Sequence, residues 1–370
     1  MSRRDIYYWK CDRPAAFHGT QARDATDPTA TTRAIETQLA EELRRHFATD
    51  DVVLSPGVGQ GTHLTWNADV GLSGGAGGRA MFVRVENGPE RDGQLAIESA
   101  VLDRVRATGV RTPLVHGCDA SRERVPFAWQ ALERIPAPDL NKWFKQGALD
   151  VERVPFAIGA AVATWQTIEP AGFGVLTDSL IGYHSTYADY FRLRLGDHLE
   201  FLVDRGFLRT SQRKEILRDI LVHKELLEVP RGCLVHKDLA LWNILGSEAE
   251  IAAFIDFDDA ISGDPMDDLS LLACFHDAKF VTHAFTGYQS VRPLPPEYRR
   301  RFWLHLLRNM IVKSVIRVGA GYFDRTDGFF LIGTGSSGAD FKRFTLARLE
   351  LALRGLLLDA EPDLLDAADV

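Results

Sequence analysis

The sequence contains few cysteines and no long apolar run. Its four cysteines form no CxxC pair, which argues against structural zinc and a disulfide framework and favours a reducing, cytoplasmic setting. No apolar stretch approaches the ~18 residues needed to span a membrane, and no apolar core follows the basic N-terminus as in a secretory signal. We therefore expect no membrane-spanning segment and no secretion.

The sequence also has fewer basic than acidic residues. The 43 lysines and arginines are outnumbered by 51 acidic residues, which gives a net charge of −8 at pH 7. Such a chain is a poor match for nucleic acid or an anionic membrane surface, and it suits a cationic small molecule better. With 370 residues, 45% of them hydrophobic, the chain is long enough for two domains or one two-lobed domain.

Hydrophobic patterning predicts an α+β fold in unequal parts. Apolar residues four apart predict an amphipathic helix over 31–48. Three β-prone segments with glycine-rich turns fill 52–88 and predict an antiparallel meander, and a second amphipathic helix covers 92–109. Helical patterns dominate from about residue 135. The predicted parts are an N-terminal extension (1–50), a small antiparallel β-rich lobe with one helix (51–134) and a larger, mainly helical lobe (135–370). Residues 1–30 are mixed and polar, so we expect a loose extension there, followed by the amphipathic helix.

A short β-rich stretch with several polar residues interrupts the helical part. Its sequence is LVHKDLALWNIL at 234–245 and FIDFDD at 254–259. If the apolar segments are strands, a loop holds Asp238 and Asn243, and the next strand brings Asp256 alongside. Two carboxylates and an amide carbonyl form an oxygen-donor set of the kind that Mg²⁺ prefers. One carboxylate can instead accept a hydroxyl proton. Transfer of a γ-phosphoryl group needs such a proton acceptor, in-line placement of the reactants, neutralisation of charge and little else.

Here the sequence resembles a known family. HKDLALWN (236–243) matches the kinase catalytic-loop pattern H-x-D-x-x-x-x-N, and Asp256-Phe257 takes the place of the metal-binding D-F-G. Together with GDPMDDLS (263–270), the stretch looks most like the aminoglycoside phosphotransferase and choline kinase group of the protein-kinase-like superfamily. The resemblance implies a two-lobed protein-kinase-like fold.

The resemblance also implies roles for individual side chains. Asp238 would be the catalytic base, while Asn243 and Asp256 would hold Mg²⁺. Asp268 would brace the catalytic loop. Taken singly, aspartate and asparagine in loops more often cap helices or form turns. Their joint occurrence at the right spacing favours the functional interpretation.

Other polar or aromatic residues of this stretch have structural interpretations. Asp258 and Asp259 are expected in a solvated acidic turn, with attraction of a cationic substrate or a second metal as the alternative. Asp264 followed by Pro265 predicts a helix N-cap and the first helical residue. Trp242 is interpreted as a wall of the acceptor pocket or as a core residue.

Residues upstream are candidates for binding the nucleotide phosphates. Gly57, Gly59 and Gly61 lie in the first turn of the β-rich part, where bare backbone amides can approach phosphates, although a plain hairpin turn explains them equally. By the resemblance, Arg84 binds the α- and β-phosphates of ATP (or GTP) and pairs with Glu98 of the following helix. A surface arginine and a solvated helix glutamate are the alternatives.

The sequence does not identify the phosphate acceptor. By the resemblance, helices within 174–208 and 300–355 build its pocket. Most aromatic and acidic candidates there fit a buried core equally well. These candidates are Tyr183, Tyr187, Tyr190, Phe191, Trp303 and Asp324.

The expected function is transfer of the γ-phosphate of ATP or GTP, with Mg²⁺, to a hydroxyl group of a small molecule. The acceptor would be an aminoglycoside or other antibiotic, a sugar, an amino alcohol or a related metabolite, and antibiotic resistance is one setting for such enzymes. One alternative is a catalytically silent nucleotide-binding or regulatory protein. A protein kinase is less favoured, because GDPMDDL (263–269) follows FIDFDD without an activation loop or an A-P-E segment.

Overall fold

The computed structural model describes residues 2–12, 30–58, 63–71, 78–86, 88, 91, 93–326 and 337–368. In the first part of the chain, the described residues form three α-helices and five strands. In chain order these are α1 (Trp9–Asp12), α2 (Ala30–Phe47), β1 (Val52–Pro56), β2 (Leu64–Gly71), β3 (Gly78–Glu86), α3 (Gln94–Ala107), β4 (Val115–Asp119) and β5 (Ala128–Glu133). The strands form one antiparallel sheet in the order β1-β2-β3-β5-β4.

Helix α2 packs on this sheet through the apolar stripe that its sequence predicts. Ile35, Leu39 and Leu43 are buried in one core with side chains of the sheet, Trp66 and Trp129 among them. A spacing of four residues places the three side chains on one helix face. The helix therefore covers an apolar face of the sheet.

The second part is mainly helical and holds two small sheets. Its elements are α4 (Leu140–Lys145), α5 (Arg153–Trp165), β6 (Phe173–Leu176), β7 (Gly182–His184), α6 (Tyr187–Arg192), α7 (Leu195–Asp204), α8 (Thr210–Val222), β8 (Cys233–Val235), β9 (Ile244–Gly246), β10 (Ile251–Phe254), β11 (Ile261–Gly263), α9 (Asp267–Leu272), α10 (Ala278–Gln289), α11 (Tyr298–Gly319) and α12 (Gly338–Leu358). Strands β7-β6-β11-β8 form an antiparallel sheet, and β9 pairs with β10. The predicted α+β class is confirmed. No helix in the described ranges is long and apolar enough to cross a membrane.

The segment 2–12 packs against the second part, so the expectation of a loose N-terminal extension is wrong for these residues. Tyr7 is 1% exposed, and its ring stacks on Tyr190 at a centroid distance of 4.9 Å. The Asp12 carboxylate accepts the backbone amide of Tyr7 at 2.8 Å and lies 2.7 Å from Nε2 of His198. These contacts fix the segment on α6 and α7.

The predicted start of helix α9 is also wrong. The helix begins at Asp267 rather than directly after Asp264. Oδ1 of Asp264 accepts the amide of Met266 at 2.9 Å, and Oδ2 lies 2.5 Å from Nη1 of Arg301. Burial opposes ionisation of this carboxylate, but His305 and Arg301 lower its pKa to about 2. Asp264 therefore stabilises a turn and an ion pair with α11 instead of capping a helix.

His276 makes the stability of the second part depend on pH. Burial, reinforced by the charge of Arg348, lowers the pKa of His276 to about 3 from 6.5. As pH falls, His276 is protonated in the unfolded chain at a higher pH than in the folded protein. The stability that neutral His276 permits is therefore fully present above pH 6.5 and is lost between about pH 6.5 and 3. We expect His276 to lower the free energy of unfolding by about 2 kcal/mol at pH 5 relative to pH 7.5.

Urea unfolding at the two pH values measures this effect. His276→Phe preserves the stack on Phe280, whose ring centroid lies 4.0 Å away, and removes the titrating group. The variant should lose the corresponding part of the pH dependence. An identical pH dependence in both proteins would contradict the prediction.

Candidate active site

The loop after β8 is held by the carboxylate of Asp268. Its Oδ2 accepts the amide of His236 at 2.9 Å, and its Oδ1 accepts the amide of Lys237 at 3.1 Å. The indole of Trp165 donates to the same carboxylate at 3.3 Å. The His236 ring lies 3.0 Å from the carbonyl oxygen of Ile255 and so ties the loop to the end of β10. The expected bracing contact of Asp268 is present.

Three oxygen-bearing side chains meet beside this loop. Asn243 donates to the carbonyl of Asp238 at 2.8 Å and to its Oδ2 at 3.2 Å. Because β10 runs antiparallel to β9, the end of β10 lies beside the start of β9, where Asn243 is found. Asp256 lies two residues after β10, in a left-handed conformation with φ 66°. The Lys10 ammonium links the two carboxylates, at 2.5 Å from Oδ2 of Asp238 and 3.9 Å from Oδ2 of Asp256. The expected convergence is found.

Arg84 joins the sheet of the first part to this centre. It forms an ion pair with Glu98 of α3, as predicted, and Gln130 accepts two of its hydrogen bonds at 3.0 and 3.1 Å. Nη1 of Arg84 also lies 3.0 Å from Oδ1 of Asp256, a contact that the sequence patterns did not predict. The guanidinium therefore links β3 and α3 to Asp256 in the turn after β10.

The glycines predicted to bind phosphates are only partly described. Gly59 and Gly61 lie outside the described residues. Gly57 donates its amide to the carbonyl of Thr65 at 3.1 Å, and a Cβ at this position would come within 2.9 Å of the Thr65 and Trp66 backbone. This close approach of β1 and β2 requires glycine, and the role of Gly57 toward a nucleotide stays a prediction.

Three side chains outside the motif cover Asp238. Its Oδ1 accepts hydrogen bonds from the Tyr8 hydroxyl and the Lys313 ammonium, both at 2.8 Å, and its Oδ2 accepts from Lys10. Only 3% of the Asp238 side chain is exposed. A functional role for Lys313 could have been suspected from the sequence, because a lysine is unusual in an apolar run such as MIVKSVI (310–316) of a buried helix. Tyr8 and Lys10 lie in the short segment IYYWKC (6–11), which is too short for a periodicity that would predict its contacts.

Both carboxylates of the centre are held in the ionised form. Burial opposes ionisation of Asp238, but Lys10 and Lys313 lower its pKa well below the usual range. Burial likewise opposes ionisation of Asp256, and Lys10 and Arg84 lower its pKa. An ionised Asp238 can accept or orient a hydroxyl proton, and an ionised Asp256 can bind a cation.

Asp258 and Asp259 are buried, so the expectation of a solvated acidic turn is wrong. They are 7% and 6% exposed, and Gln94 of α3 donates to Oδ2 of Asp258 at 2.9 Å. Burial and the nearby Asp256 raise the pKa of Asp258 well above its usual range. Burial raises the pKa of Asp259 to about 6, although Lys10 opposes the shift. The turn thus adds two carboxyl groups to the centre.

Most of the acceptor-pocket candidates belong to the core. The buried ones are Tyr187, Tyr190, Phe191 and Trp303. Tyr183 is half-buried and Asp324 is exposed. Trp242 is half-buried, and its ring meets Phe275 edge to face at a centroid distance of 4.8 Å. The aromatic residues of the sequence therefore do not define the acceptor.

The sequence matches one family model. The match is to the phosphotransferase enzyme family (APH) and covers residues 66–303. This range includes the loop after β8, Arg84 and the turn after β10, whereas Tyr8, Lys10 and Lys313 lie outside it. No curated protein sequence matches the chain significantly.

Several solved structures share the fold. The crystal structure of aminoglycoside phosphotransferase APH(4)-Ia has 16% sequence identity and a TM-score of 0.60, over 86% of this chain and 99% of that one. A thermostable mutant of that enzyme, in a ternary complex with ADP and hygromycin B, has 16% sequence identity and a TM-score of 0.58, over 86% of this chain and 98% of that one. The streptomycin–ATP–APH(2″)-IIa ternary complex has 16% sequence identity and a TM-score of 0.53, over 76% of this chain and 90% of that one. At these identities the likeness shows the fold alone. Because the family match spans more than half of its residues, the chain belongs to the phosphotransferase enzyme family and has a protein-kinase-like fold.

Proposed function

We propose that this protein transfers the γ-phosphate of ATP, or of GTP, to a hydroxyl group of a small molecule. In the reaction, the bond between the γ-phosphorus and the bridging β-phosphate oxygen breaks, and a bond from the acceptor oxygen to the γ-phosphorus forms. The hydroxyl proton passes to Asp238, and the nucleoside diphosphate leaves. Such a reaction depends mainly on positioning and on neutralising charge.

One observation supports this proposal most strongly. The carboxylates of Asp238 and Asp256 and the amide of Asn243 lie around a single point, and Arg84 reaches the same point from the sheet at 3.0 Å from Asp256. A proton acceptor, oxygen ligands and a phosphate-binding cation are the side chains that phosphoryl transfer requires. In this protein they come from the two parts of the chain that meet at the centre.

The donor set fits a hard divalent cation. Its atoms are carboxylate and amide oxygens, which Mg²⁺ prefers. One oxygen of Asp258 and one of Asp259 are buried and accept no hydrogen bond from the described residues, so further oxygen atoms beside the centre are left for a cation to bind. We propose that Asn243 and Asp256 would hold Mg²⁺. When bound, the ion would neutralise charge on the transferred phosphate.

We assign nucleotide binding to residues 51–134 and catalysis and acceptor binding to 135–370. Arg84, oriented by Glu98, would bind the α- and β-phosphates with its planar guanidinium. The complexes of fold relatives with ADP and hygromycin B, and with ATP and streptomycin, support a nucleotide donor and a polyhydroxylated acceptor. Aminoglycosides, other antibiotics, sugars and amino alcohols are the acceptor classes we propose, and a role in antibiotic resistance would follow from the first two.

A catalytically silent nucleotide-binding protein is the second candidate. It is favoured by one observation, the coverage of Asp238 by Tyr8, Lys10 and Lys313. A silent protein would bind nucleotide without transferring phosphate to any acceptor. A protein kinase is disfavoured, because β11 and α9 follow the turn after β10 directly.

Thermal stabilisation by nucleotide, followed by turnover, tests the proposal. We expect Mg–ATP or Mg–GTP to raise the melting temperature of the wild type, because only the folded protein binds the ligand. ADP or GDP release is then measured with hygromycin B, streptomycin, sugars and amino alcohols as acceptors. Arg84→Met should lower nucleotide affinity by about tenfold or more, since it removes a charged phosphate ligand.

The outcomes separate the two candidates. Nucleotide stabilisation with acceptor-dependent turnover supports the phosphotransferase. Stabilisation without turnover on any acceptor class supports the silent protein. Arg134→Met is the matched control, because Arg134 is an arginine that pairs with Asp69 at the surface. Equal nucleotide affinity in the Arg84 and Arg134 variants would contradict the role of Arg84.

A further inference from the structure

The carboxylate of Asp238 is saturated with hydrogen bonds. Each of its oxygens offers two lone pairs. Oδ1 accepts from the Tyr8 hydroxyl and the Lys313 ammonium, both at 2.8 Å. Oδ2 accepts from the Lys10 ammonium at 2.5 Å and the Asn243 amide at 3.2 Å. An acceptor hydroxyl can therefore bond to Asp238 only if one of these four donors leaves.

Three of the four donors are fixed by their surroundings. Tyr8, Asn243 and Lys313 are 2%, 5% and 8% exposed. The backbone amide of Tyr8 donates to Asp12 at 3.0 Å, and the Lys313 ammonium lies 4.9 Å from the centroid of the Tyr8 ring. Moving any of the three would leave a buried polar group without a partner, which is costly. These donors are expected to stay.

Lys10 differs from the other three donors in two ways: its side chain is more exposed, and its ammonium lies near several carboxylates. Its side chain is 40% exposed, and a flexible four-carbon stem lets the ammonium turn into water. The same ammonium lies 3.8 Å from Oδ2 of Asp259 and 3.9 Å from Oδ2 of Asp256. This ammonium therefore faces three carboxylates, of which Asp238 also pairs with Lys313 and Asp256 with Arg84. Its withdrawal leaves carboxylate charge that an entering cation can balance.

We propose that Lys10 is an exchangeable counter-ion of the active site. The inference rests on the proposed phosphotransferase function. Lys10 withdraws when a divalent cation and nucleotide bind, and the acceptor hydroxyl takes its place on Oδ2 of Asp238. Tyr8 and Lys313 remain on Oδ1 as positioning residues, which fix the carboxylate so that Oδ2 faces the acceptor. The reacting hydroxyl therefore enters along the path of the Lys10 side chain.

The residues that carry this arrangement are not explained by the family match. Tyr8 and Lys10 precede the matched range 66–303, and Lys313 follows it. They join the site from segments on both sides of the matched range. Their contacts with Asp238 are direct, so they act on the reacting centre itself.

Lys10→Met tests the exchange with Mg²⁺ alone as the probe, in the absence of nucleotide. The variant removes the resident cation and keeps most of the apolar stem. We expect the Mg²⁺ concentration for half-maximal thermal stabilisation to fall by about fivefold or more, because the carboxylates lose their competing charge. Lys279→Met is the matched control, since Lys279 pairs with Glu152 at the surface and is 56% exposed. An unchanged Mg²⁺ requirement in Lys10→Met would overturn the proposal.

Steady-state kinetics give a second measurement. Lys10→Met should lower the acceptor KM severalfold and raise kcat/KM, because the acceptor no longer displaces an ammonium. A lower kcat at unchanged KM would overturn the proposal, since it would mean that Lys10 acts on the transferred phosphate. If the wild type shows neither nucleotide stabilisation nor turnover, the proposed function fails, while the Mg²⁺ titration still decides the role of Lys10.

Tyr8→Phe tests the positioning role, because it keeps the ring and removes the donor to Oδ1. We expect kcat to fall by about tenfold, with little change in the acceptor KM, as for an interaction that matters in the transition state. A lower melting temperature with an unchanged kcat would reduce Tyr8 to a structural residue and overturn its positioning role.

Discussion

Replacing Asp238 by asparagine is expected to lower turnover by about 10²- to 10⁴-fold, the range typical of a lost general base. Thermal stabilisation by Mg–ATP should survive, because Arg84, Asn243 and Asp256 are untouched. The physical reason is that asparagine cannot take the hydroxyl proton. Turnover is measured as ADP release with the best acceptor of the panel.

A structural side effect has to be separated from this loss. Asp238 is the counter-charge of two ammonium groups, Lys10 and Lys313, so the single change leaves excess positive charge in a buried site. The double variant Asp238→Asn/Lys10→Met removes one of these charges and should be equally inactive. Asp204→Asn, at an exposed position of α7, serves as the control. Near-wild-type turnover in either Asp238 variant would remove Asp238 from its proposed role.

Replacing Lys237 by methionine is expected to lower the free energy of unfolding by about 3 to 5 kcal/mol, the usual effect of breaking a buried ion pair. The Lys237 ammonium lies 2.8 Å from Oδ2 of Asp267, and both side chains are 1% exposed. It also donates to Tyr7 at 3.1 Å and to Asn309 at 3.2 Å. Without it, the Asp267 charge is buried without its partner. Urea unfolding with linear extrapolation measures the loss.

The double variant Lys237→Met/Asp267→Asn provides the internal check. Asparagine removes the stranded charge, so the double variant should be more stable than Lys237→Met alone, as expected for coupled residues. Lys142→Met, on the exposed side of α4, is the matched control. A double variant that loses the sum of both single effects would show that Lys237 and Asp267 do not act as a pair.

The convergence of Asp238, Asn243 and Asp256 could be predicted from the sequence because these residues are close along the chain. Asn243 directly precedes β9 and Asp256 lies two residues after β10, so the pairing of these two strands brings them together, and Asp238 lies five residues before Asn243. The pairing of Arg84 with Glu98 was implied by the family resemblance and not by a local pattern, and the two residues lie on the consecutive elements β3 and α3. The resemblance to a family then supplied their roles, which the spacing by itself did not determine.

The remaining contacts depend on elements that are distant in sequence. Asp258 is buried because Gln94, 164 residues earlier, reaches it from α3, and no local pattern near Asp258 reveals this cover. Tyr8 meets Asp238 across 230 residues. The segment around Tyr8 is too short to show a periodicity, so its burial could not be predicted. Asp264 was predicted as a helix cap because an Asp-Pro dipeptide is typical of a helix start. Instead, its carboxylate forms an ion pair with Arg301 of α11, which no local pattern predicts.

The docking of the N-terminal segment on α11 has a consequence for how the protein is made. The Lys313 ammonium lies 3.2 Å from the hydroxyl of Tyr8, and 305 residues separate them. At roughly 5 to 20 residues per second of ribosomal elongation, the earlier residue waits on the order of 15 to 60 s for its partner to be translated. A nascent chain therefore cannot assemble the complete centre, and competence arises only after α11 has emerged from the ribosome.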